Sequence, residues 1–208
     1  PESWSTSLRS LKHLNVSKNG LSGTLPTSWN AITEFTHMDF SVNDFDGTMP
    51  DTWKDLAKMQ YLDLSGNRIS GSIPSYDTWT SIATFYVSDN QLTEGIPLFL
   101  GNTAAECDYR MSRNLLSGEI PKPWTAACIY LFFEDNDLSG AIPDGFCNSP
   151  SIVEVRLSGN SFDCPAPEEC GDIGCELSAS RTPTRTTTNT PTNTPTGTPT
   201  GTPTSFAT

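Results

Sequence analysis

Two groups of residues in this chain of 208 have types and spacings that could do chemistry. His13 and His37 stand 24 residues apart, as do Asp39 and Asp63. Imidazoles beside carboxylates make an acid-sensitive patch or a weak divalent-metal site, and two aspartates held close together could cleave a glycoside. The second group is Tyr61, Tyr86, Tyr130 and Phe132 with Arg110 and Arg156. A guanidinium placed between rings on adjacent strands can stack on both. Exposed aromatics and arginine are also the types enriched where proteins bind one another. Either chemistry requires these side chains to share one surface.

A repeat supplies that surface. Asn19, Asn43, Asn67, Asn90, Asn114, Asn136 and Asn160 recur at spacings of 24, 24, 23, 24, 22 and 24, each followed seven residues later by a proline. A period in this range marks a solenoid, in which each repeat forms one coil and stacks on the next. Three residues before the asparagines stand Val16, Phe40, Leu64, Val87, Met111, Phe133 and Leu157; five before stand Leu14, Met38, Leu62, Phe85, Tyr109, Leu131 and Val155. Apolar residues two apart share one face of a strand. Further apolar columns follow the asparagine, as in Leu21 with Leu25 and Ile69 with Ile73. Stacking buries them together, at roughly 1.5–3 kcal/mol per aliphatic side chain. The asparagine amide, both donor and acceptor, is expected to satisfy loop backbone where each coil leaves its strand.

The stretches LKHLNVSKNGLSGTLP, MQYLDLSGNRISGSIP and LLSGEIP resemble the leucine-rich repeat, in the variety with LSGxIP after the asparagine. The resemblance covers residues 8 to about 167. It implies a leucine-rich repeat solenoid with a short parallel β-sheet on the concave face, and loops and 3-10 turns on the convex side. The glycine column holds Glu94 in the fourth repeat and Cys164 in the last, and Glu106 occupies an apolar position in the fifth, where a distortion is expected.

Residues six, four and two before each asparagine then face the concave side. The first column is His13, His37, Tyr61, Thr84, Asp108, Tyr130 and Glu154; the second is Asn15, Asp39, Asp63, Tyr86, Arg110, Phe132 and Arg156. The third is serine except for Glu134. Tyr61, Tyr86, Arg110, Tyr130, Phe132 and Arg156 are the expected partner-binding residues. The plainer account is ladder packing, since aromatics suit strands. For the His–Asp group a solvated polar face is the better reading. A glycosidase pair needs a deep cleft and opposed geometry, which aspartates in register on an open sheet lack. With no nucleophile elbow, phosphate loop or zinc motif, no catalysis, cofactor or metal is expected.

The six cysteines are placed by the repeat. Cys107 and Cys128 hold nearly equivalent positions in adjacent coils, as do Cys147 and Cys170; Cys164 and Cys175 remain, in CPAPEECGDIGC. Neighbouring strands lie about 4.8 Å apart, within reach of a disulfide. The expected pairs are Cys107–Cys128, Cys147–Cys170 and Cys164–Cys175. A zinc site is the rival, weakened by the lack of a paired CxxC motif and by the distance to both histidines. Disulfides place the protein in an oxidising, extracellular setting. Residues 1–163 are read as repeats, about seven coils, and 164–176 as a cysteine-rich C-terminal cap.

Residues 177–208 form a third segment. From Arg181 the chain has 14 threonines and 5 prolines in 28 residues, too little to bury, so a disordered Thr/Pro-rich tail is expected. This is the composition of an O-glycosylated stalk, and a plain flexible linker is the alternative. Net charge is −12, with all 24 acidic residues before residue 177. That field repels nucleic acid and anionic lipid. Asn15-Val16-Ser17 is the one N-glycosylation sequon.

LSGxIP repeats, a cysteine-rich cap and the tract TPTRTTTNTPTNTPT in this order resemble the promastigote surface antigens of kinetoplastid parasites. The resemblance implies a surface glycoprotein that is GPI-anchored or shed. It also implies a host cell-surface partner, either a phagocyte receptor or a complement component. Membrane contact would come only through a lipid anchor lying beyond Thr208 or already removed, and Pro1 is read as beginning partway through a coil. An adhesin is therefore expected. A passive glycosylated coat protein and a soluble LSGxIP-type inhibitor module are the other two classes.

Overall fold

The computed structural model describes residues 7–103, 106–147 and 149–170. The expected Thr/Pro-rich tail, residues 177–208, and Cys175 of the expected Cys164–Cys175 pair lie outside the described residues. Seven strands, one per coil, form a parallel sheet: His13–Asn15, His37–Asp39, Tyr61–Asp63, Thr84–Tyr86, Cys107–Arg110, Cys128–Phe132 and Glu154–Arg156. Each strand pairs with the next, so His13 faces His37 and Asp39 faces Asp63. Coils 1 to 7 are numbered here by these strands.

Below the sheet lies an aromatic-rich core. Phe35, Phe40, Trp53, Tyr76, Trp79, Phe85, Tyr109, Phe133 and Phe146 are fully buried. The prolines of the repeat open 3-10 turns on the opposite side, at Thr27–Ala31, Asp51–Asp55 and Leu98–Asn102. Buried indoles tie these turns together: Trp53 Nε1 donates to the Pro26 carbonyl and Trp79 Nε1 to the Trp53 carbonyl. Leu21, in the first coil, is 40% exposed, whereas its equivalents Ile69, Leu92 and Leu116 are buried.

The asparagine column is a hydrogen-bond ladder between coils. Asn43 Nδ2 donates to the carbonyls of Phe40 in its own coil and Val16 in the preceding one, and its Oδ1 accepts from the backbone N–H of Asn19 and Leu21. Asn114 and Asn136 repeat the pattern in buried positions. The residue before each asparagine is left-handed, with φ between 54° and 70° in Lys18, Val42, Gly66, Asp89, Arg113, Asp135 and Gly159.

A second set of parallel pairings follows the asparagines and was not expected from the sequence. Ser70–Gly71, Gln91–Glu94, Leu115–Gly118, Asp137–Gly140 and Ser161–Phe162 form a five-stranded sheet; Ser22–Thr24 pairs with Asp44–Asp46. The glycine column sits here. Gly47 has φ of +75°, and a Cβ on it would meet Thr24 Cγ2 at 2.9 Å. Glu94 takes the same backbone conformation, at φ +62°, without being glycine.

Coil 5 differs from the expected distortion at Glu106. Glu106 is exposed, and Cys107 fills the buried position one residue later. The irregularity falls instead on the neighbouring strand, where the register shifts between Cys128 and Tyr130. Cys107 and Cys128 are disulfide-bonded across these two coils, with Cα atoms 4.1 Å apart, and Cys147 is bonded to Cys170. No helix among the described residues is long and apolar enough to cross a membrane.

Candidate partner-binding face

Because side chains alternate along a strand, the columns at six and four residues before each asparagine stand on the open side of the sheet. Their rings and guanidinium groups make one continuous stack. His13 and His37 meet edge-on at 4.5 Å, and His37 stacks on Tyr61 at 5.8 Å. Tyr61 meets Tyr86 at 6.1 Å, where the stack crosses from the first column to the second. Beyond it the Arg110 guanidinium lies 4.7 Å from the Tyr86 ring and 5.0 Å from the Phe132 ring, and Arg156 lies 4.3 Å from Phe132 on the next strand. Tyr130 packs on Phe132 at 5.8 Å and also lies within 5.8 Å of Arg110. All six expected residues are thus within one surface group.

Each arginine is fixed by a carboxylate on its own strand. Arg110 donates from Nε and Nη2 to the two oxygens of Asp108, at 2.9 and 2.8 Å, while Tyr86 Oη donates to the same carboxylate at 2.5 Å. Arg156 Nε donates to Glu154 at 2.7 Å. The Asp108 carboxylate raises the Arg110 pKa, and burial with the Asp108 hydrogen bond pushes the Tyr86 phenol up. Glu134 Oε2, in the serine column, is buried without a hydrogen-bond partner.

At the other end, His13, Leu14, Asn15, His37, Asp39 and Tyr61 line a cavity of about 370 Å3. Asn15 Nδ2 donates to Asp39 Oδ2 at 2.8 Å. Asn15, Asp39 and Asp63 also close turns at their strand ends. Asn15 Oδ1 accepts from the Ser17 N–H and hydroxyl, Asp39 Oδ1 from the same groups of Ser41, and Asp63 Oδ1 from the Ser65 N–H. The serine column is therefore engaged in local structure, a role its small size alone does not reveal; the spacing of an Asn or Asp two residues before a serine carries the signal. Burial raises the Asp63 pKa, with the Asp39 charge adding to it. Burial, then Asp63 and Asp39, pushes Tyr61 up to about 12, whereas burial and His13 lower His37. Among the described residues, no group of three or more His, Cys, Asp or Glu side chains could hold a metal ion.

This is the geometry of a leucine-rich repeat solenoid. The Leucine Rich Repeat family profile matches residues 10–32 and 58–76. The structure is similar to the plant peptide hormone receptor RGFR1 in complex with RGF2, at 32% identity over 78% of this chain and 27% of that one, TM-score 0.70. It is also similar to the Arabidopsis receptor kinase HAESA in complex with the peptide hormone IDA and the co-receptor SERK1, at 26% identity over 78% and 32%, TM-score 0.61. A plant ice-binding protein shares 29% identity over 78% and 53%, TM-score 0.70. The chain spans about a quarter to a third of the two receptors. No curated protein sequence matches it.

Proposed function

We propose that this chain is an extracellular recognition protein that binds a protein or peptide through the concave sheet. The observation that carries the reading is the stack Tyr86–Arg110–Phe132–Arg156. Its two arginine side chains remain 39% and 50% exposed, yet Asp108 and Glu154 hold both guanidinium groups in place. Rigid rings and pre-positioned arginines lose little conformational entropy on binding. RGFR1 and HAESA, two solenoids of the same kind, form complexes with peptide hormones.

At finer grain the reading is a surface adhesin, GPI-anchored or shed, with a host phagocyte receptor or complement component as partner. The order of LSGxIP repeats, cysteine cap and Thr/Pro tract supports it. Residues 177–208 would serve as an O-glycosylated stalk. Asn15 is exposed, and a glycan on it would shield one end of the face. No catalytic role is assigned.

The test is binding of the disulfide-bonded chain to phagocyte surfaces, beside a variant with Tyr86, Arg110 and Phe132 replaced by alanine. Saturable binding lost in that variant supports the reading. Saturable binding that survives moves the site elsewhere. No binding at all favours a passive coat protein.

A further inference from the structure

The sheet binds its own guanidinium groups by one recipe, used twice. In coil 5 a carboxylate, Asp108, takes the Arg110 fork while a ring of the neighbouring strand, Tyr86, lies 4.7 Å from the same group. In coil 7 Glu154 and the Phe132 ring do the same for Arg156. The components are a carboxylate and the face of an aromatic ring on an adjacent strand.

In their concave columns, coils 2 and 3 carry these components and no lysine or arginine. Asp39 and Asp63 are directly opposite each other on adjacent strands, an arrangement in which like charges repel. Among the described residues neither forms an ion pair with lysine or arginine. Arg110, whose charge acts on Asp63, is committed to Asp108. Beside the two aspartates lie the Tyr61 ring, stacked on His37, and the cavity bounded by His13, Asn15 and Asp39.

We infer that this cavity is a subsite for a basic side chain of the partner, with arginine the best fit, seated beside the Tyr61 ring against Asp39, with Asp63 opposite Asp39 on the adjacent strand. The inference rests on the concave face being the binding surface, and it adds the chemistry of the ligand. A flat guanidinium matches the ring as Arg110 matches Tyr86, and its several N–H donors can serve two carboxylates at once. The two ends of the face then have different tasks. Coils 5 to 7 present rings and internally paired arginines, whereas coils 2 and 3 present unneutralised acid. Neighbouring groups set the pH dependence. His13, His37, Asp39 and Tyr61 line the subsite, Asp63 lies opposite Asp39, and Asp108 and Arg110 stand two strands beyond Tyr61. Acid adds charge to His37 and removes it from Asp63, so cation binding weakens as pH falls.

The experiment is an NMR titration of the full chain with N-acetyl-arginine methylamide, and with the citrulline analogue as the uncharged isostere. Saturable shifts of the His37 and Tyr61 ring signals are expected with the arginine derivative. They should weaken about tenfold or more in Asp39→Asn/Asp63→Asn, and in Tyr61→Leu, but persist in Tyr61→Phe. Asparagine keeps the strand-end turns, as Asn15 does in the same column, so the aspartate variant retains its fold. Equal binding of citrulline, unchanged arginine binding in the aspartate variant, or no saturable binding overturns the inference. Because the probe is an amino-acid derivative, these outcomes are independent of whether Tyr86, Arg110 and Phe132 carry attachment to cells.

Discussion

Tyr86 and Asp108 are joined by a 2.5 Å hydrogen bond between adjacent strands, and the acceptor is the carboxylate that holds the Arg110 fork. The phenol thereby helps fix an arginine whose guanidinium also lies against its ring. A double-mutant cycle with Tyr86→Phe and Asp108→Asn, followed by urea unfolding, should give a coupling of about 1 kcal/mol. Additive effects of the two changes would mean that the bond contributes nothing to holding Arg110.

The asparagine ladder should be the most sensitive part of the fold that is not apolar. Asn114 donates to Val87 and Met111 in buried positions and accepts from the Leu92 N–H. Alanine there leaves these groups without partners and should cost about 2–3 kcal/mol. Asn19, exposed in the first coil, should cost less than half as much. Comparing the two in denaturant isolates the worth of the ladder from that of the side chain itself.

Val42 is the one β-branched residue in the left-handed column, with φ of 55°, and it is 53% exposed. Gly66 and Gly159 hold the same place in other coils. A branched side chain in this region costs roughly 1–2 kcal/mol, offset in part by the entropy that glycine loses on folding. Val42→Gly should therefore stabilise by about 0.5–1 kcal/mol, visible as a higher urea midpoint at unchanged slope.

The sequence columns made the coil count, the concave strands and the six residues of the ring–arginine group legible, because period-two apolar pairs fix which side chains point outward. Three features were not legible. The left-handed column accepts Lys18, Val42, Asp89, Arg113 and Asp135 as well as glycine, so composition does not mark it. The pairing after the asparagines depends on main-chain approach rather than side-chain pattern. The shift at Cys128 arises because Cys107 sits one place later in its coil than Cys128 does in its own, a difference of one residue that the glutamate at 106 obscured.

The Cys107–Cys128 disulfide closes a loop with a sequence separation of 21 between two inner coils. Loop entropy assigns such a crosslink about 3 kcal/mol. Replacing both cysteines by alanine should lower stability by about that amount. Hydrogen exchange should quicken first in the strands Cys107–Arg110 and Cys128–Phe132, with coils 2 and 3 keeping their protection.

Asp63 gives the pH prediction its sign. Its pKa is raised in the fold, by burial first and then by Asp39, so the folded state favours the protonated acid. The associated stability is present below the ordinary carboxyl range near pH 4 and is lost as pH rises through the raised value. At pH 7 the ionised pair is therefore a cost, and Asp63→Asn should stabilise by roughly 0.2–1 kcal/mol, the scale of a like-charge cross-strand pair. The gain should shrink towards zero as pH falls below 4. His37 behaves oppositely: its lowered pKa supplies stability at neutral pH that is lost on acidification. Urea unfolding of the chain and of Asp63→Asn across pH 3–8 separates the two. A gain at pH 7 that comes with weaker arginine binding would show that the fold tolerates a repulsion which its ligand relieves, whereas a loss of stability at pH 7 would mean that the Asp39–Asp63 juxtaposition is no cost to the fold.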